Sequence, residues 1–403
     1  MTGMKLPFGT IQIPPESKAL IMDALDSTMV SCGRLVREFE LKFAELTGVN
    51  HAVAVSTGTD ADALALALLH DVGAVPGDEV ILPALSFVAT GNAVLHARLK
   101  PVFVDIDRDT LNIDVSAVES AITDRTRAIM PVHLMGKPAE MDTIMALAEK
   151  YGLMVMEDAA EAHGMLYKGK PAGTIGHLGA FSLYVAHIIT TIEGGVITCH
   201  TDEHAEILRS LRSHGRACSC VSCKLSTQQA YCSKRFDPVN GEDMRFTFPR
   251  IGYSCKMNEL EAAVGLGNMN RYADIVETRY ANLKYVLDRF GRFQPYLSTI
   301  REESWERIGP HAIPIIINED ASFTRSELTR YLEAHGIETR TLFQSMPTQC
   351  PGFGYLGYKE GQFPVAEYMG RHGIHIGCHH DLTIAHMDYF LHHVEQFLTR
   401  YQR

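Results

Sequence analysis

Short apolar runs alternate with helical patterns through the first half of this chain, and that alternation limits the architectures open to it. Runs at 52–56, 79–82, 101–105, 128–132 and 153–157 have the length and side chains of buried strands. Helical periodicity separates them at 60–70, 88–97 and 141–150, with tight-turn signals at Pro76-Gly77-Asp78 and Gly136-Lys137-Pro138. This order predicts an α/β fold, a mostly parallel sheet covered by helices on both faces. From about Gly215 to Pro249 the pattern breaks into a polar stretch rich in Cys, Ser, Gln and Lys, which reads as a long insertion. Helical patterns resume at 258–268 and 272–290. A smaller α+β unit follows, with a strand at 312–317 and helices at 324–335 and 386–401. The expected division is a large domain over 1–270, carrying the 215–249 insertion, and a small C-terminal domain over 271–403.

With 403 residues and 46% hydrophobic content, the chain can build a substantial core. No apolar run reaches the ~18 residues of a membrane span, and the N-terminus lacks an apolar signal core. A cytoplasmic location without membrane contact is the expectation. The formal charge of -11 argues against nucleic acid as a partner. It leaves room for an anionic small ligand, because a few arginines can hold a diphosphate. Cys32, Cys199, Cys255, Cys350 and Cys378 are scattered and read as small buried residues. Cys218, Cys220, Cys223 and Cys232 crowd into the polar insertion, which suggests a metal or redox role in a cytosolic chain.

Four segments carry candidate chemistry. Ser56-Thr57-Gly58-Thr59-Asp60-Ala61 follows a strand and opens a helix, where Gly58 lets backbone come close and free N–H groups favour an anion. Glu157-Asp158-Ala159-Ala160-Glu161-Ala162-His163-Gly164 ends a strand, and open α/β sheets bind ligands beyond such ends. Asp158 there is either a ligand-binding carboxylate or a helix N-cap. Phe87 lies just past another strand end, as a stacking ring or a core residue. The fourth segment is Phe181-Ser182-Leu183-Tyr184-Val185-Ala186-His187, continuing through Ile188-Ile189-Thr190-Thr191-Ile192 to Glu193-Gly194-Gly195.

This last segment resembles the signature of nucleotide-sugar aminotransferases, in which Phe-Ser-Phe, three residues and a lysine lead into Glu/Asp-Gly-Gly. The motifs stand in family order from about Glu38 to the C-terminus, and the chain is similar to the DegT/DnrJ/EryC1/StrS group. The resemblance implies an aspartate aminotransferase-like fold (fold type I of the pyridoxal-phosphate enzymes), with a mostly parallel seven-stranded sheet and a small C-terminal α+β domain. It implies pyridoxal or pyridoxamine 5′-phosphate as cofactor. Gly58, Thr59 and Ser182 are assigned to its phosphate, Asp158 to its ring nitrogen and Phe87 to its ring face. Glu161 is a further contact, with His163 either a contact or ordinary packing. Arg250-Ile251-Gly252-Tyr253-Ser254-Cys255-Lys256 resembles a family segment whose asparagine reaches the partner subunit's phosphate, a position held here by Ser254. A homodimer is implied, with the small domain and Arg340 closing over a nucleotide-sugar substrate.

His187 stands where the family carries its Schiff-base lysine, and no lysine lies between Lys170 and Lys224. Imidazole cannot form that bond but can move protons. The exchange resembles the deoxysugar 3-dehydratase branch and implies C3 dehydration of a nucleotide-activated 4-keto-6-deoxyhexose, with His187 as base. The branch has a metal-free kind, the GDP-4-keto-6-deoxymannose 3-dehydratases. It also has an iron–sulfur kind, the CDP-4-keto-6-deoxyglucose 3-dehydrases, served by a separate flavin/iron–sulfur reductase. Gly215-Arg216-Ala217-Cys218-Ser219-Cys220 and Cys232-Ser233-Lys234-Arg235-Phe236 resemble the iron–sulfur kind. They imply a 2Fe–2S cluster on Cys218, Cys220, Cys223 and Cys232, with zinc or uncoordinated thiols as alternatives. Two departures stand against it: the family's remote fourth cysteine falls on Ala160, and the Cys220–Cys232 separation is longer. An aminotransferase using another lysine, and a non-enzymatic relative, are the competing functions.

Overall fold

The computed structural model describes residues 4–218, 220, 223–225 and 230–401. Its larger sheet has seven strands: β1 (His51–Val55), β2 (Glu79–Pro83), β3 (Lys100–Val104), β4 (Thr126–Ile129), β5 (Met154–Asp158), β6 (Leu178–Ser182) and β7 (Gly195–Cys199). Their order is β1-β7-β6-β5-β4-β2-β3. Only β7 runs against the rest, pairing antiparallel with β1 and β6, so the sheet is mostly parallel as expected. All five expected early strands are present. Strand β4 stops at Ile129, short of the expected 132, because Pro131 has no N–H for the ladder.

Side chains alternate across the sheet, so each strand feeds two cores. Val53 and Val55 pack on one face, Ala52 and Ala54 on the other. On the second face lie Phe39 and Phe43 of α1 (Arg34–Thr47). The first face is covered by α2 (Gly58–Ala67), whose last seven residues are all buried. Thr57 caps α2 by accepting from the Asp60 amide, and the helix tightens into a 3-10 turn at Leu68–His70. Helices α3 (Val88–His96), α4 (Met141–Tyr151), α5 (Asp202–Leu211), α6 (Glu259–Met269) and α7 (Tyr272–Phe290) follow in order. An Asn258/Glu261 capping box starts α6. No helix among the described residues is long and apolar enough to cross a membrane.

A second sheet holds β8 (Leu297–Ser298), β9 (Ala312–Ile317), β10 (Thr339–Thr341) and β11 (Gly373–Gly377), all antiparallel in the order β8-β9-β11-β10. The start of the chain lies against it: Leu6 N–H donates to the Gly336 carbonyl at 2.8 Å and the Leu6 carbonyl accepts from Glu338 at 2.9 Å. This brings Phe8 to the same region as β11. Arg279 of α7 is 2% exposed and donates to the Pro310 and His311 carbonyls, both at 3.0 Å, which fixes the chain entering β9.

The end of β5 is fixed by a buried carboxylate. Glu157, fully buried, accepts from the amides of Gly173, Ile175 and Gly176 at 2.9, 2.7 and 2.6 Å, and its Oε2 meets His133 Nε2 at 2.9 Å. Removing the carboxylate orphans three amides, two of them on buried glycines, and the His133 Nε2 at once. Glu157→Ala is expected to lower stability by about 3–5 kcal/mol, read as an earlier unfolding midpoint in urea monitored by circular dichroism.

Candidate active site at the carboxyl ends of the strands

The carboxyl ends of β5 and β6 and the start of α2 border a cavity of about 770 Å³. Gly58, Thr59, Phe87, Asp158, Glu161, Ser182 and His187, all singled out from the sequence, line it together, as does Arg340. At one end Gly58 opens α2 directly against Ser182 of β6. A Cβ on Gly58 would sit 2.7 Å from the Ser182 Cβ, so only glycine allows this approach. The first amides of α2 and the Ser182 hydroxyl therefore form an anion cradle.

Asp158 is buried beside this cradle. Its Oδ2 accepts from the Thr90 hydroxyl at 2.8 Å, Thr90 pairs with Ser86 at 2.8 Å, and Oδ1 accepts from the Ala160 amide at 3.2 Å. No helix begins at Asp158, so the N-cap alternative falls away. Burial raises its pKa, and the Thr90 and Ala160 hydrogen bonds oppose that rise. A cationic group brought against it would favour the carboxylate. Phe87 is 56% exposed, tilted against Phe343 at 5.6 Å between centroids, which makes it a cavity wall and not a core residue.

His187 sits in the loop between β6 and β7. That loop is held by the Leu183 amide on the Gly194 carbonyl at 2.9 Å, Thr191 on Leu183 at 3.0 Å, and Asn268 Nδ2 on the Thr190 carbonyl at 2.9 Å. A Cβ on Gly194 would lie 2.1 Å from the Thr191 hydroxyl, so the glycine is required for the loop to close. The residue is half-buried with its Nδ1 shielded from solvent, and desolvation first, then the charges of His163 and Arg279, lower its pKa to about 3. It is thus a neutral ring at ordinary pH. Its Nδ1 has no hydrogen-bond partner among the described residues, and no lysine lines the cavity.

Several residues that the sequence reading passed over complete the site. Asp62 of α2 is 3% exposed, lines the cavity and has no partner on Oδ1 among the described residues. Burial, then the Asp158 charge, raises its pKa well above the usual carboxylate range. A lone acid inside the Ala/Leu run 61–69 was the available signal. His311 just before β9, His375 within β11 and Phe8 close the opposite wall. Their signal was faint: a histidine between two isoleucines reads as core. Glu161 lines the cavity while its Oε2 accepts from the Met135 amide at 2.7 Å and its Oε1 lies 3.3 Å from His311 Nε2. Burial pushes its pKa up to about 8, against the Met135 hydrogen bond.

Other expectations fall elsewhere. His163 packs among Phe43, Phe181 and Tyr272, with Nε2 3.2 Å from the Ser182 carbonyl, and does not line the cavity. Its role is packing. Ser254 also lies outside, bridged through its backbone to Ser213.

The iron–sulfur expectation is not shown by the donor geometry. Cys218, Cys220 and Cys223 line a second cavity of about 1100 Å³, separate from the one that Ala160 lines. The position of the family's remote ligand and the cysteine cluster are thus in different places. Among the described residues no three Cys, His, Asp or Glu side chains converge as metal donors. Burial, then Cys218, raises the pKa of Cys220, with Cys232 a weaker contributor, so these three thiols lie near one another. The described residues do not show the expected 2Fe–2S or zinc site.

A sheet of this topology, with an anion cradle, a buried aspartate and an aromatic wall at its strand ends, defines the pyridoxal-phosphate-dependent aminotransferase-like class. The chain belongs to the DegT/DnrJ/EryC1/StrS aminotransferase family, which it matches over residues 12–395. It is 34% identical to a GDP-perosamine synthase of Caulobacter vibrioides, over 94% of each chain. It is 33% identical to a GDP-4-keto-6-deoxy-D-mannose 3-dehydratase of Yersinia pseudotuberculosis, over 89% of this chain and 90% of that one. Its fold is similar to the Escherichia coli GDP-4-keto-6-deoxy-D-mannose-3-dehydratase solved with bound hydrated PLP. There the TM-score is 0.81 and the identity 29%, over 96% of this chain and 98% of that one.

The cradle gives a direct test. Gly58→Ala forces Ser182 away at a cost of roughly 1–3 kcal/mol, so the Kd for PLP should rise about ten- to hundredfold in an absorbance titration of the apoprotein.

Proposed function

We propose that this chain is a pyridoxal/pyridoxamine-phosphate-dependent lyase removing the C3 hydroxyl of a nucleotide-activated 4-keto-6-deoxyhexose. One observation carries the reading. A neutral imidazole with an unpartnered ring nitrogen lines the cavity at the position of the family's lysine, and no lysine lines that cavity. The named GDP-sugar relatives support the substrate class.

The residues present fit the cofactor. Gly58, Thr59 and Ser182 would hold its phosphate, Asp158 its ring nitrogen, and Phe87 one ring face. Bound pyridoxamine phosphate supplies an amine for the C4 ketone and a ring that accepts negative charge. The Asp158 carboxylate, held by Thr90 and Ala160, keeps the ring nitrogen protonated. His187 removes a carbon-bound proton, and its neutrality down to about pH 3 keeps it ready to accept. Unlike an amine, it forms no covalent bond to the cofactor aldehyde, so amine transfer is not completed. The functional form we propose is a cytoplasmic homodimer, with Ser254 serving the partner subunit's phosphate and the C-terminal unit carrying Arg340 over the nucleotide.

The test combines chemistry and kinetics. Borohydride treatment of the PLP-loaded protein should leave its mass unchanged, whereas His187→Lys should gain a reduced, covalently held cofactor. His187→Asn should lose C3 dehydration by about 10²–10⁴-fold, followed by mass spectrometry of the sugar nucleotide. Covalent labelling of the native chain would overturn the reading in favour of an aminotransferase.

A further inference from the structure

The dehydration assigned above needs two proton transfers, and His187 accounts for one. A carbon gives up a proton, and the departing C3 oxygen must gain one to leave as water. On the basis of that reading, we propose that His311, backed by Glu161, is the acid that protonates the leaving hydroxyl, as the counterpart of His187 the base.

The two imidazoles face one another across the cavity wall, with ring centroids 5.0 Å apart and planes inclined by 37°. Each has an Nδ1 without a hydrogen-bond partner among the described residues, and both residues line the cavity. What differs is the group on the other nitrogen. The polar neighbour of His187 is the Ala160 backbone. The Ala160 amide is already donated to Asp158, which leaves its carbonyl to face an imidazole N–H. In the proposed tautomer Nε2 carries the hydrogen toward that carbonyl and Nδ1, unpartnered among the described residues, keeps the lone pair. On His311 the Nε2 lies 3.3 Å from Glu161 Oε1.

Glu161 and His311 form a neutral acid–imidazole pair and not an ion pair. Burial holds the Glu161 carboxyl protonated up to about pH 8, and burial and then His187 keep the His311 ring neutral. Across the 3.3 Å separation a protonated Glu161 would donate to Nε2, placing the hydrogen of His311 on Nδ1. The cavity thus holds one imidazole as acceptor and the other as donor. The surrounding groups reinforce this. Asp158 at the end of β5 raises Glu161 further, while Arg279 of α7, Arg340 of β10 and His375 of β11 all disfavour a charged His311. Arg279 also fixes the His311 backbone carbonyl at 3.0 Å.

The step balances without oxidant or reductant. One carbon–hydrogen bond breaks and its proton goes to His187 Nδ1. The electron pair it leaves forms the new double bond, and the C3–O bond breaks with its pair on oxygen. That oxygen takes the His311 Nδ1 proton and departs as water, while Glu161 passes its proton to His311 Nε2. Transfer of the proton from His187 to Glu161 through His311 restores the starting state.

The pair is tested first without cofactor or substrate. In two-bond ¹H–¹⁵N spectra of the ¹⁵N-histidine apoprotein near neutral pH, His187 should show Nε2–H and His311 Nδ1–H, with peaks assigned by His187→Asn and His311→Phe. As pH rises past about 8 and Glu161 ionises, His311 should switch to Nε2–H, and the switch should vanish in Glu161→Gln. In the loaded enzyme, dehydration should fall along an alkaline limb at the same pH. Both His311→Phe and Glu161→Gln should lower kcat by about 10²–10⁴-fold, erase that limb and leave KM within a few-fold. An Nε2–H His311 at neutral pH, or His311→Phe with native kcat and limb, overturns the proposal. A wild-type protein that dehydrates no 4-keto sugar nucleotide overturns the functional reading instead, and the spectra still decide the acid–base pair.

Discussion

The buried Glu157 carboxylate holds the site in place more than any group that touches the cavity. It gathers three amides from 173–176 and the His133 ring at the last turn of β5. Burying a charge is costly unless all its acceptor sites are filled, and here four donors fill them. The consequence is positional. Asp158 follows Glu157 on the opposite face of the same strand, so the fixed carboxylate on one face holds the cavity-lining one on the other. The Ser86–Thr90–Asp158 chain then aims it into the cavity.

Around that anchor, desolvation sets the chemistry. Asp62, Asp158 and Glu161 are all buried and all raised, while the buried His311 and His375 and the half-buried His187 are all lowered. Acids and imidazoles are pushed toward their neutral forms by the same cause. Neutral acids can donate and neutral imidazoles can accept, which is the state that proton transfer at ordinary pH requires. The guanidinium of Arg340, 3.8 Å over the Phe8 ring, keeps a fixed positive charge at the edge. That is a natural seat for an anionic ligand.

Much of this was legible in the sequence. The strand–helix alternation follows from periods of 2 and 3.6 and needs only local information. The cradle and the 181–195 loop were readable because Gly58, Gly194 and Gly195 answer to close backbone approach, and their neighbours are contiguous. The cysteine cluster was less legible for the opposite reason. Spacing along a chain reports proximity in sequence, whereas a metal needs donors converging in space, and Cys218, Cys220 and Cys223 border a cavity apart from Ala160. Asp62 and His375 were passed over because they lie in apolar runs that look like core.

The sequence alone determined the class of fold, the glycine-dependent anion site and the replacement of an amine by an imidazole at position 187. These are local matters of side-chain identity and backbone freedom. Tertiary structure decided which remote groups meet that imidazole. It brought His311 from the start of β9, His375 from β11 and Phe8 from the chain's beginning to one wall. It also decided which groups are charged, because protonation depends on how much water the folded chain excludes, and no residue carries that information by itself.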